Sequence, residues 1–558
     1  MFLKYLPAKR LLDFIDQEAV SDYPRQTLII FSILTGIVNG LLLAVINHGA
    51  GKSYDFSPSS SIQLYYLALF TILLCLVVYT KKYTLEKAAV LVEAVLYSVR
   101  MRISDRIRHT ELSFIEETGR GEIYNRLAKD TLLISQCAPS IFVSLQAAIM
   151  LTFTMVYIAW LTPMGFLLTI IAIALGGWVF ILKRDLIEND LDVADQQEVF
   201  FFEAFNNTLD GFKEIKLNRE KSNDLLEHQD KIAVKVKVLK TRASLQSVFV
   251  MLFSEVFFYI LIATVLFVWP YFKATDPVTV IKLTTSILFM MGPLNLLFGS
   301  LPLFMKAEIA VNNLYRLEKK IEAASQGFEA GEPSKHKSIT FEYASFRDVR
   351  FEYVDKGGVV QFKVGPINLD LRFGETVFIV GGNGSGKSTL LKLLTGLYYP
   401  YSGEIIVNGE VLDQDVYADY RELFATIFTD FHLFDRLYGV RNVDNAKVKS
   451  LIQEMGLANK TQFEDNAFTN TDLSTGQRKR LAYIVTVLED KQIYIFDELA
   501  ADQDPNFRKY FYEVLLPRLK QQGKTVIAVT HDDKYFATAD RILKMDEGQL
   551  SEYLENGN

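Results

Sequence analysis

The stretch Phe378–Gly396, FIVGGNGSGKSTLLKLLTG, decides how the second half of this 558-residue chain folds. Within it, Gly381–Ser388 fits the pattern G-x-x-x-x-G-K-[ST]. It follows the apolar run Thr376–Val380 and precedes residues with helical spacing. A glycine-rich loop between a strand and a helix N-terminus presents backbone N–H groups to phosphate oxygens. The stretch therefore predicts a phosphate-binding loop in an α/β domain.

Two side chains of this loop have a predicted role in binding a nucleoside triphosphate. Lys387 is expected to reach the β- and γ-phosphate oxygens, and Ser388 is expected to ligate Mg²⁺. The candidate ATP-binding residues are Gly381, Gly382, Asn383, Gly384, Ser385, Gly386, Lys387, Ser388 and Thr389.

A second acidic element follows at Gln492–Glu498, QIYIFDE. Its apolar residues predict a buried strand that ends in two carboxylates. Asp497 is expected to hold Mg²⁺ through water, and Glu498 to polarise the water that attacks the phosphate. The alternative is an Asp-Glu pair that caps a helix, but the nearby phosphate-binding loop favours the catalytic interpretation.

A third element, LSTGQRKR (Leu473–Arg480), precedes a helix-like segment. Ser474 and the N–H group of Gly476 at a helix N-terminus suit a γ-phosphate. Here the chain resembles the ATP-binding-cassette (ABC) family, whose signature loop reads LSGGQ. The resemblance implies that Ser474, Gly476 and Gln477 meet the ATP held by a second cassette.

The same resemblance assigns roles to three further residues. His531 in VTHDD matches the family's switch histidine, which contacts the γ-phosphate. Tyr353, 28 residues before Gly381, matches the aromatic residue that stacks on adenine. Asp504 matches the last position of the D-loop.

Other positions depart from the family pattern. Thr429 in FTDFHLF stands where the family has the Q-loop glutamine, and Asp430 is a candidate to replace some of its contacts. Thr475 replaces the middle glycine of the signature, and the D-loop carries Asp502 and Gln503. None of these changes removes the phosphate-binding, metal-binding or base groups, so ATPase activity is expected.

The composition of the whole chain fits a membrane protein with a soluble part. Half of all residues are hydrophobic, the net charge is −7 and only two cysteines occur. The mild charge argues against nucleic-acid binding, and two cysteines form neither a disulfide framework nor a zinc site. Six apolar stretches approach the length of a bilayer span. They lie near residues 27–47, 62–80, 140–161, 164–182, 247–270 and 280–304.

The charge of the loops sets the predicted orientation. Ten Lys/Arg residues occur in 81–139 and eleven in 183–246, whereas the opposite loops contain only Lys52 and Lys273. By the positive-inside rule, both long loops, both termini and the ATPase domain are expected in the cytoplasm. The alternative, six buried helices of a large soluble core, is disfavoured by six such runs nearly free of charge.

The predicted architecture is an all-α six-helix transmembrane domain fused to a cytoplasmic α/β P-loop ATPase domain. The predicted domains are residues 1–320 and 339–558, with a polar linker at 321–338. This order resembles ABC exporters. One cassette supplies half of each ATP site, so a homodimer is expected.

Motifs across the chain resemble one group of that family, the bacterial cyclic-peptide and siderophore exporters. They include DGFKEIKLN (210–218), FTDFHLFDRL (428–437) and LSTGQRKRLA (473–482). That group includes exporters of pyoverdine precursors, syringomycin-like lipopeptides and lasso-peptide microcins. The resemblance implies a bacterial inner-membrane half-transporter that exports such a peptide. A lipid or multidrug exporter is the alternative, and an ATP-gated channel or sensor is a third reading.

Candidate cargo-binding residues lie in the last two spans. Glu255 stands in the middle of the fifth span, where a charge costs about 2.5–3.5 kcal/mol. Around Gly292-Pro293 in the sixth span, the candidates for lining an adaptable pocket are Phe289, Met290, Met291 and Asn295, and the alternative is that several of them only pack. Glu255 is a candidate contact for a polar or cationic cargo, and the alternative is a protonated or paired residue between helices.

Overall fold

In the computed structural model, the described residues are 14, 25–53, 60–272, 276–324, 339–354, 357–413, 416–441 and 443–553. They form two compact units. The first comprises Met1–Thr110 and Ile115–Ala324, and the second comprises Glu111–Phe114 and Ser325–Asn558. Residues 325–338 of the predicted linker lie outside the described residues, so the predicted domain boundaries stay predictions.

Within the described residues of the first unit, six helices are long and apolar enough to cross a membrane. Each predicted span lies within or largely overlaps one of them, which confirms the six-helix membrane domain. With shorter helical segments counted separately, and with α3 beginning in the second unit, residues 25–324 contain α1 (Arg25–Ser53), α2 (Ser60–Arg108), α3 (Leu112–Thr118), α4 (Arg120–Asn125), α5 (Thr131–Leu161), α6 (Pro163–Asp210), α7 (Phe212–Leu217), α8 (Arg219–Ala263), α9 (Trp269–Phe272) and α10 (Pro277–Ala324).

Several of these helices continue well beyond the length that a bilayer requires. The 49 residues of α2 span about 70 Å at a rise of about 1.5 Å per residue. Beyond its apolar part, Val92, Leu96, Val99 and Ile103 recur at helical spacing and are buried. That amphipathic stripe keeps the extension helical because it packs against neighbouring helices.

The membrane unit contains a one-residue turn between α5 and α6 and a close approach of α1 to α5. Thr162 alone separates α5 from α6, with Pro163 in the first turn of α6, so these two spans form a tight hairpin. Helix α1 approaches α5 through Gly36 and Gly40. A Cβ atom on Gly40 would lie 2.2 Å from Cδ1 of Phe153. Close helix contact of this kind depends on small residues in a small-xxx-small pattern.

The second unit contains two main sheets, which confirms the α/β fold of the ATPase domain. A four-stranded sheet has the order β2-β1-β4-β5, and a six-stranded sheet has the order β12-β11-β3-β10-β9-β6. The strands are β1 (Tyr343–Val354), β2 (Val360–Arg372), β3 (Thr376–Val380), β4 (Ser402–Val407), β5 (Glu410–Val411), β6 (Phe424–Ile427), β7 (Phe463–Glu464), β8 (Ala467–Phe468), β9 (Ile493–Asp497), β10 (Thr525–Val529), β11 (Arg541–Asp546) and β12 (Gln549–Glu552).

The central strands β3, β9 and β10 are buried along their whole length and pair in parallel. Continuous apolar runs suit strands that are covered on both faces. The helices of this unit are α11 (Lys387–Leu394), α12 (Tyr417–Arg421), α13 (Asn445–Glu454), α14 (Thr475–Leu488), α15 (Pro505–Tyr510) and α16 (Leu516–Gln521). Parallel strands bring their carboxyl ends to one edge, so the residues after β3, β9 and β10 meet there.

Candidate nucleotide-hydrolysing site

The phosphate-binding loop connects β3 to α11. Gly382, Asn383 and Gly384 form its exposed tip, whereas Ser385, Lys387 and Thr389 are buried. A Cβ atom on Gly381 would lie 2.2 Å from the carbonyl oxygen of Met545. Only glycine therefore lets the loop leave the strand along this path.

Two observations fit this loop to a phosphate group. The Oγ atom of Ser385 is buried and has no hydrogen-bond partner among the described residues. The Nζ atom of Lys387 donates to the carbonyl oxygens of Gly381 and Gly382 at 2.9 and 3.0 Å. These bonds hold Lys387 against the backbone of the loop. Its ammonium group and the unpaired hydroxyl of Ser385 are suitable donors to phosphate oxygens.

Two oxygen donors predicted to hold Mg²⁺ lie side by side. Ser388 Oγ donates to Asp497 Oδ2 at 3.2 Å. Burial raises the pKa of the Asp497 carboxyl above its usual range, while the bond from Ser388 opposes that shift. Neighbouring hydroxyl and carboxylate oxygens are the hard donors that Mg²⁺ prefers, so these residues fit the metal.

The two predicted catalytic residues on the neighbouring strands also meet. Glu498 follows β9 and His531 follows β10, and His531 Nε2 lies 3.2 Å from Glu498 Oε1. The same carboxylate oxygen lies 4.0 Å from Lys387 Nζ. Glu498 has a φ of 52°, a left-handed backbone that a non-glycine residue adopts only when its surroundings hold it there.

The predicted adenine-stacking residue belongs to an aromatic cluster. The Tyr353 hydroxyl lies 3.3 Å from Thr389 Oγ1 and also 3.3 Å from the Tyr398 hydroxyl. Its ring meets those of Phe351 and Tyr398 edge to face. Tyr353 is thereby tied to the first turn of α11, next to the phosphate-binding loop.

The predicted signature loop begins helix α14. Ser474 is the N-cap, and its backbone N–H donates to Gln477 Oε1 at 3.3 Å. This pairing gives Gln477 a capping role. A Cβ atom on Gly476 would lie 3.1 Å from the carbonyl oxygen of Asp502, so glycine lets the D-loop pass closely.

The predicted D-loop residue Asp504 caps α15. Its Oδ1 accepts from the N–H groups of Asn506 and Phe507, and its Oδ2 accepts from Arg480 at 2.5 Å. The backbone bond from Phe507, followed by the charge of Arg480, lowers the pKa of the Asp504 carboxyl. Within its own chain, Asp504 therefore shapes the D-loop.

The Q-loop substitution places a hydroxyl at Asp497, the carboxylate that is predicted to hold Mg²⁺. Thr429 Oγ1 donates to Asp497 Oδ2 at 3.4 Å. Asp430 lines a cavity of about 340 Å³ beside Glu498, together with Thr429, Phe431, Thr475, Arg478, Lys479, Ala501 and Asp502. Lys479 was not predicted as a site residue. Its position between two arginines in QRKR gave no sign that it would be buried.

The candidate cargo residues lie in the membrane unit. Asn295 Nδ2 donates to Glu255 Oε1 at 2.9 Å, which joins α8 to α10. Both residues line a small depression with Ser254, Phe258, Met291, Leu294 and Phe298. Met290, by contrast, is fully buried in an apolar cluster of the same helices. Of the two methionines that the sequence suggested, Met291 lines the depression and Met290 only packs.

Comparison with family models agrees with this architecture. Residues 364–501 match the model described as "ABC transporter", and residues 27–296 match "ABC transporter transmembrane region". The two matches fall in the second and first units, respectively.

Full-length relatives match across both units. ATP-binding protein SyrD from Pseudomonas syringae pv. syringae is 31% identical over 554 residues, which covers 93% of each chain. An ATP-dependent lipid A-core flippase from Paraburkholderia xenovorans (strain LB400) is 23% identical and covers 82% of this chain and 78% of its own. The solved structure of a bacterial Atm1-family ABC exporter with ATP bound has a TM-score of 0.77. It is 16% identical and covers 95% of each chain.

Proposed function

This chain belongs to the ABC transporter family, and from that membership we propose that it exports a compact peptide from the cytoplasm. The proposed cargo is a cyclic or lasso peptide, a peptide siderophore or a similar secondary metabolite. The chain itself is an exporter half-transporter whose ATPase activity is coupled to transport. The observation that carries the peptide proposal is the resemblance of the motifs in both halves of the chain to the cyclic-peptide and siderophore exporters, and the 31% identity with SyrD over 93% of both chains supports it.

Hydrolysis would depend on the carboxylate at the end of β9. Glu498 would accept a proton from water as that water attacks the γ-phosphate. His531, 3.2 Å from Glu498 Oε1, would orient the carboxylate and contact the phosphate. Lys387 lies 4.0 Å from the same oxygen and would bind the β- and γ-phosphates.

The metal-binding residues would complete this arrangement. Ser388 and Asp497 would hold Mg²⁺, which when bound neutralises charge on the phosphates. Thr429 would keep the Asp497 carboxylate oriented through the hydroxyl that lies 3.4 Å from Oδ2.

A second copy of the chain would complete each ATP site. Ser474 and Gly476 lie at the start of a 14-residue helix, a suitable place for an anion. They follow Lys387 by nearly ninety residues in sequence. We propose a homodimer in which this helix start of one chain faces the ATP bound by Lys387 of the other. The proposed location is the bacterial inner membrane, with the ATPase domain in the cytoplasm.

The proposed cargo contact is the hydrogen-bonded pair of Glu255 and Asn295. A carboxylate is costly among apolar spans unless it has a partner, and the amide of Asn295 supplies one bond. Its remaining oxygen lone pairs can accept from a cargo N–H group or pair with a cationic group. A closed peptide loses little conformational entropy on binding, so a few such contacts around an adaptable Met291 suffice.

A lipid exporter is the second candidate function. The supporting observation is the 23% identity with an ATP-dependent lipid A-core flippase over 82% of this chain. That identity is lower and covers less of both chains than the match with SyrD. The peptide proposal therefore takes precedence.

Uptake into inside-out vesicles tests the proposal. Vesicles with the protein are supplied with ATP, Mg²⁺ and a panel of cyclic peptides, peptide siderophores and labelled phospholipids. Vesicles with Glu498→Gln serve as the control for ATP-driven transport. ATP-dependent accumulation of a peptide supports the proposal, whereas movement of phospholipids alone would replace it with lipid export.

A further inference from the structure

Lys479 is a buried lysine beside the proposed catalytic base. It lies on α14, five residues after the N-cap Ser474, and its side chain is only 6% exposed. Its Nζ atom donates to the backbone carbonyl oxygen of Glu498 at 2.9 Å and lies 2.7 Å from Asp502 Oδ2. A buried ammonium group is costly without such partners, so these two contacts determine where Lys479 can lie.

Lys479 donates its hydrogen bond to a residue whose backbone has an unfavourable conformation. The φ of 52° at Glu498 places it in the left-handed region. Its N–H donates to the carbonyl oxygen of Val529 at 3.3 Å, and its carbonyl oxygen accepts from the N–H of Ala501 as well as from Lys479. Backbone bonds on both sides of Cα therefore aim the carboxylate toward His531.

The bond to Asp502 connects the same lysine to the D-loop. Two neighbouring residues make parallel connections between α14 and this loop. Gln503 Nε2 donates to the carbonyl oxygen of Gly476 at 2.9 Å, and Arg480 donates to Gln503 and Asp504. Of Lys479, Arg480 and Gln503, only Lys479 has among these contacts a bond to Glu498, the proposed base.

We propose that Lys479 is a positioning residue for ATP hydrolysis, because it ties the backbone of Glu498 to Asp502 of the D-loop and to the start of α14. The proposal rests on the proposed role of Glu498 as the base. Lys479 bonds to the backbone oxygen of Glu498 and acts through the orientation of that residue. A displacement of a reacting group by about 1 Å can cost about a hundredfold in rate, so this support affects turnover.

The main test is Lys479→Met, which retains the apolar stem and removes the ammonium group. We expect kcat for ATP to fall about 10- to 100-fold, while KM and the binding of a fluorescent ATP analogue stay unchanged. Lys524→Met is the matched control. Lys524 is 16% exposed and lies 2.7 Å from Asp490. It precedes β10 at the edge of the sheet opposite the site, so its kcat should match the wild type.

Asp502→Asn provides a milder variant at a position that is 54% exposed. It weakens the ion pair but leaves the bond from Lys479 to Glu498, so kcat should fall only several-fold. If Lys479→Met does not fold, this variant decides: a lower kcat at unchanged KM supports the proposal, and an unchanged kcat overturns it. A loss of nucleotide binding in folded Lys479→Met would also overturn it, since that would mark a purely structural lysine.

A double-mutant cycle separates this proposal from the role of Glu498. If Lys479 acts through Glu498, Lys479→Met should cause no further loss in a Glu498→Gln background. A full additional loss there would contradict the positioning role. If Glu498→Gln alone retains wild-type turnover, the proposed base is wrong, and that result is distinct from a failure of Lys479.

Discussion

The cassette and the membrane unit place their polar groups in opposite ways. In the cassette, Lys387, Ser388, Asp497, Glu498 and His531 converge at the carboxyl edge of one sheet, and each lies within 4.0 Å of another. In the membrane unit, the candidate cargo contact is a single pair, Glu255 and Asn295, among apolar helices.

This difference reflects what each ligand requires. The phosphates of ATP are always the same, so a fixed loop and a fixed set of charges can recognise them. The proposed peptide cargo would present varied apolar surface, for which a few polar contacts among adaptable side chains are sufficient. Substitutions should therefore have large, specific effects in the cassette and graded effects in the membrane unit.

The largest expected effect is that of Glu498→Gln. The amide keeps the size of the side chain but cannot accept a proton from water, so turnover should fall about 10²- to 10⁴-fold with ATP binding retained. Steady-state ATPase assays and ATP-binding measurements check this. Glu513→Gln, at a half-exposed position that pairs with Lys509 within one helical segment, is the control. Near wild-type hydrolysis by Glu498→Gln would refute the assignment.

Mixing two inactive variants tests whether the cassette site is shared between chains. Lys387→Ala and Ser474→Ala should each abolish most activity. Their heterodimer would contain one intact site and one doubly broken site, so a random mixture should regain about a quarter of wild-type ATPase activity. The measurement is ATPase activity after co-expression, with each variant alone as control. A monomer whose specific activity is independent of concentration would contradict the shared site.

In the membrane unit, the largest effect should be on stability. Gly40→Ala places a methyl group 2.2 Å from Cδ1 and 2.4 Å from Cγ of Phe153. Such overpacking between α1 and α5 should cost about 1–3 kcal/mol. Thermal unfolding in detergent should show a lower midpoint.

Gly299→Ala is the matched control for that substitution, because a Cβ atom there meets nothing within 4 Å among the described residues. It should leave the midpoint unchanged or raise it, since alanine favours the helix. Equal midpoints for Gly40→Ala and Gly299→Ala would contradict the close contact between α1 and α5.

The smallest expected effect concerns the cargo. Glu255→Gln keeps the side-chain volume but removes the charge, so the cargo concentration for half-maximal ATPase stimulation should rise about tenfold, by roughly 1.4 kcal/mol. Basal ATPase activity should be retained. Val256→Ala, on the exposed side of the same helix, is the control. Equal cargo affinity in Glu255→Gln and wild type would remove Glu255 from the binding site.

The sequence alone determined the fold class and the main ATP-site candidates. Six long apolar runs predict membrane helices because a bilayer requires every backbone polar group to be bonded within its own segment. Likewise, G-x-x-x-x-G-K-S identifies a phosphate-binding loop because the chemistry is local: the glycines, Lys387 and Ser388 act within a few residues of one another. The burial of Asp497 at a strand end, directly before Glu498, is also visible in the preceding apolar run QIYIF.

Only the tertiary structure decided which polar residues partner one another across the chain. Lys479 bonds to Glu498 because α14 packs beside β9. The two residues are 19 positions apart, so no local sequence pattern predicts this contact. Asn295 partners Glu255 from 40 positions away, and one helical step separates buried Met290 from Met291, which lines the depression. Such choices depend on how helices rotate against their neighbours, and that rotation is set by packing over many residues at once.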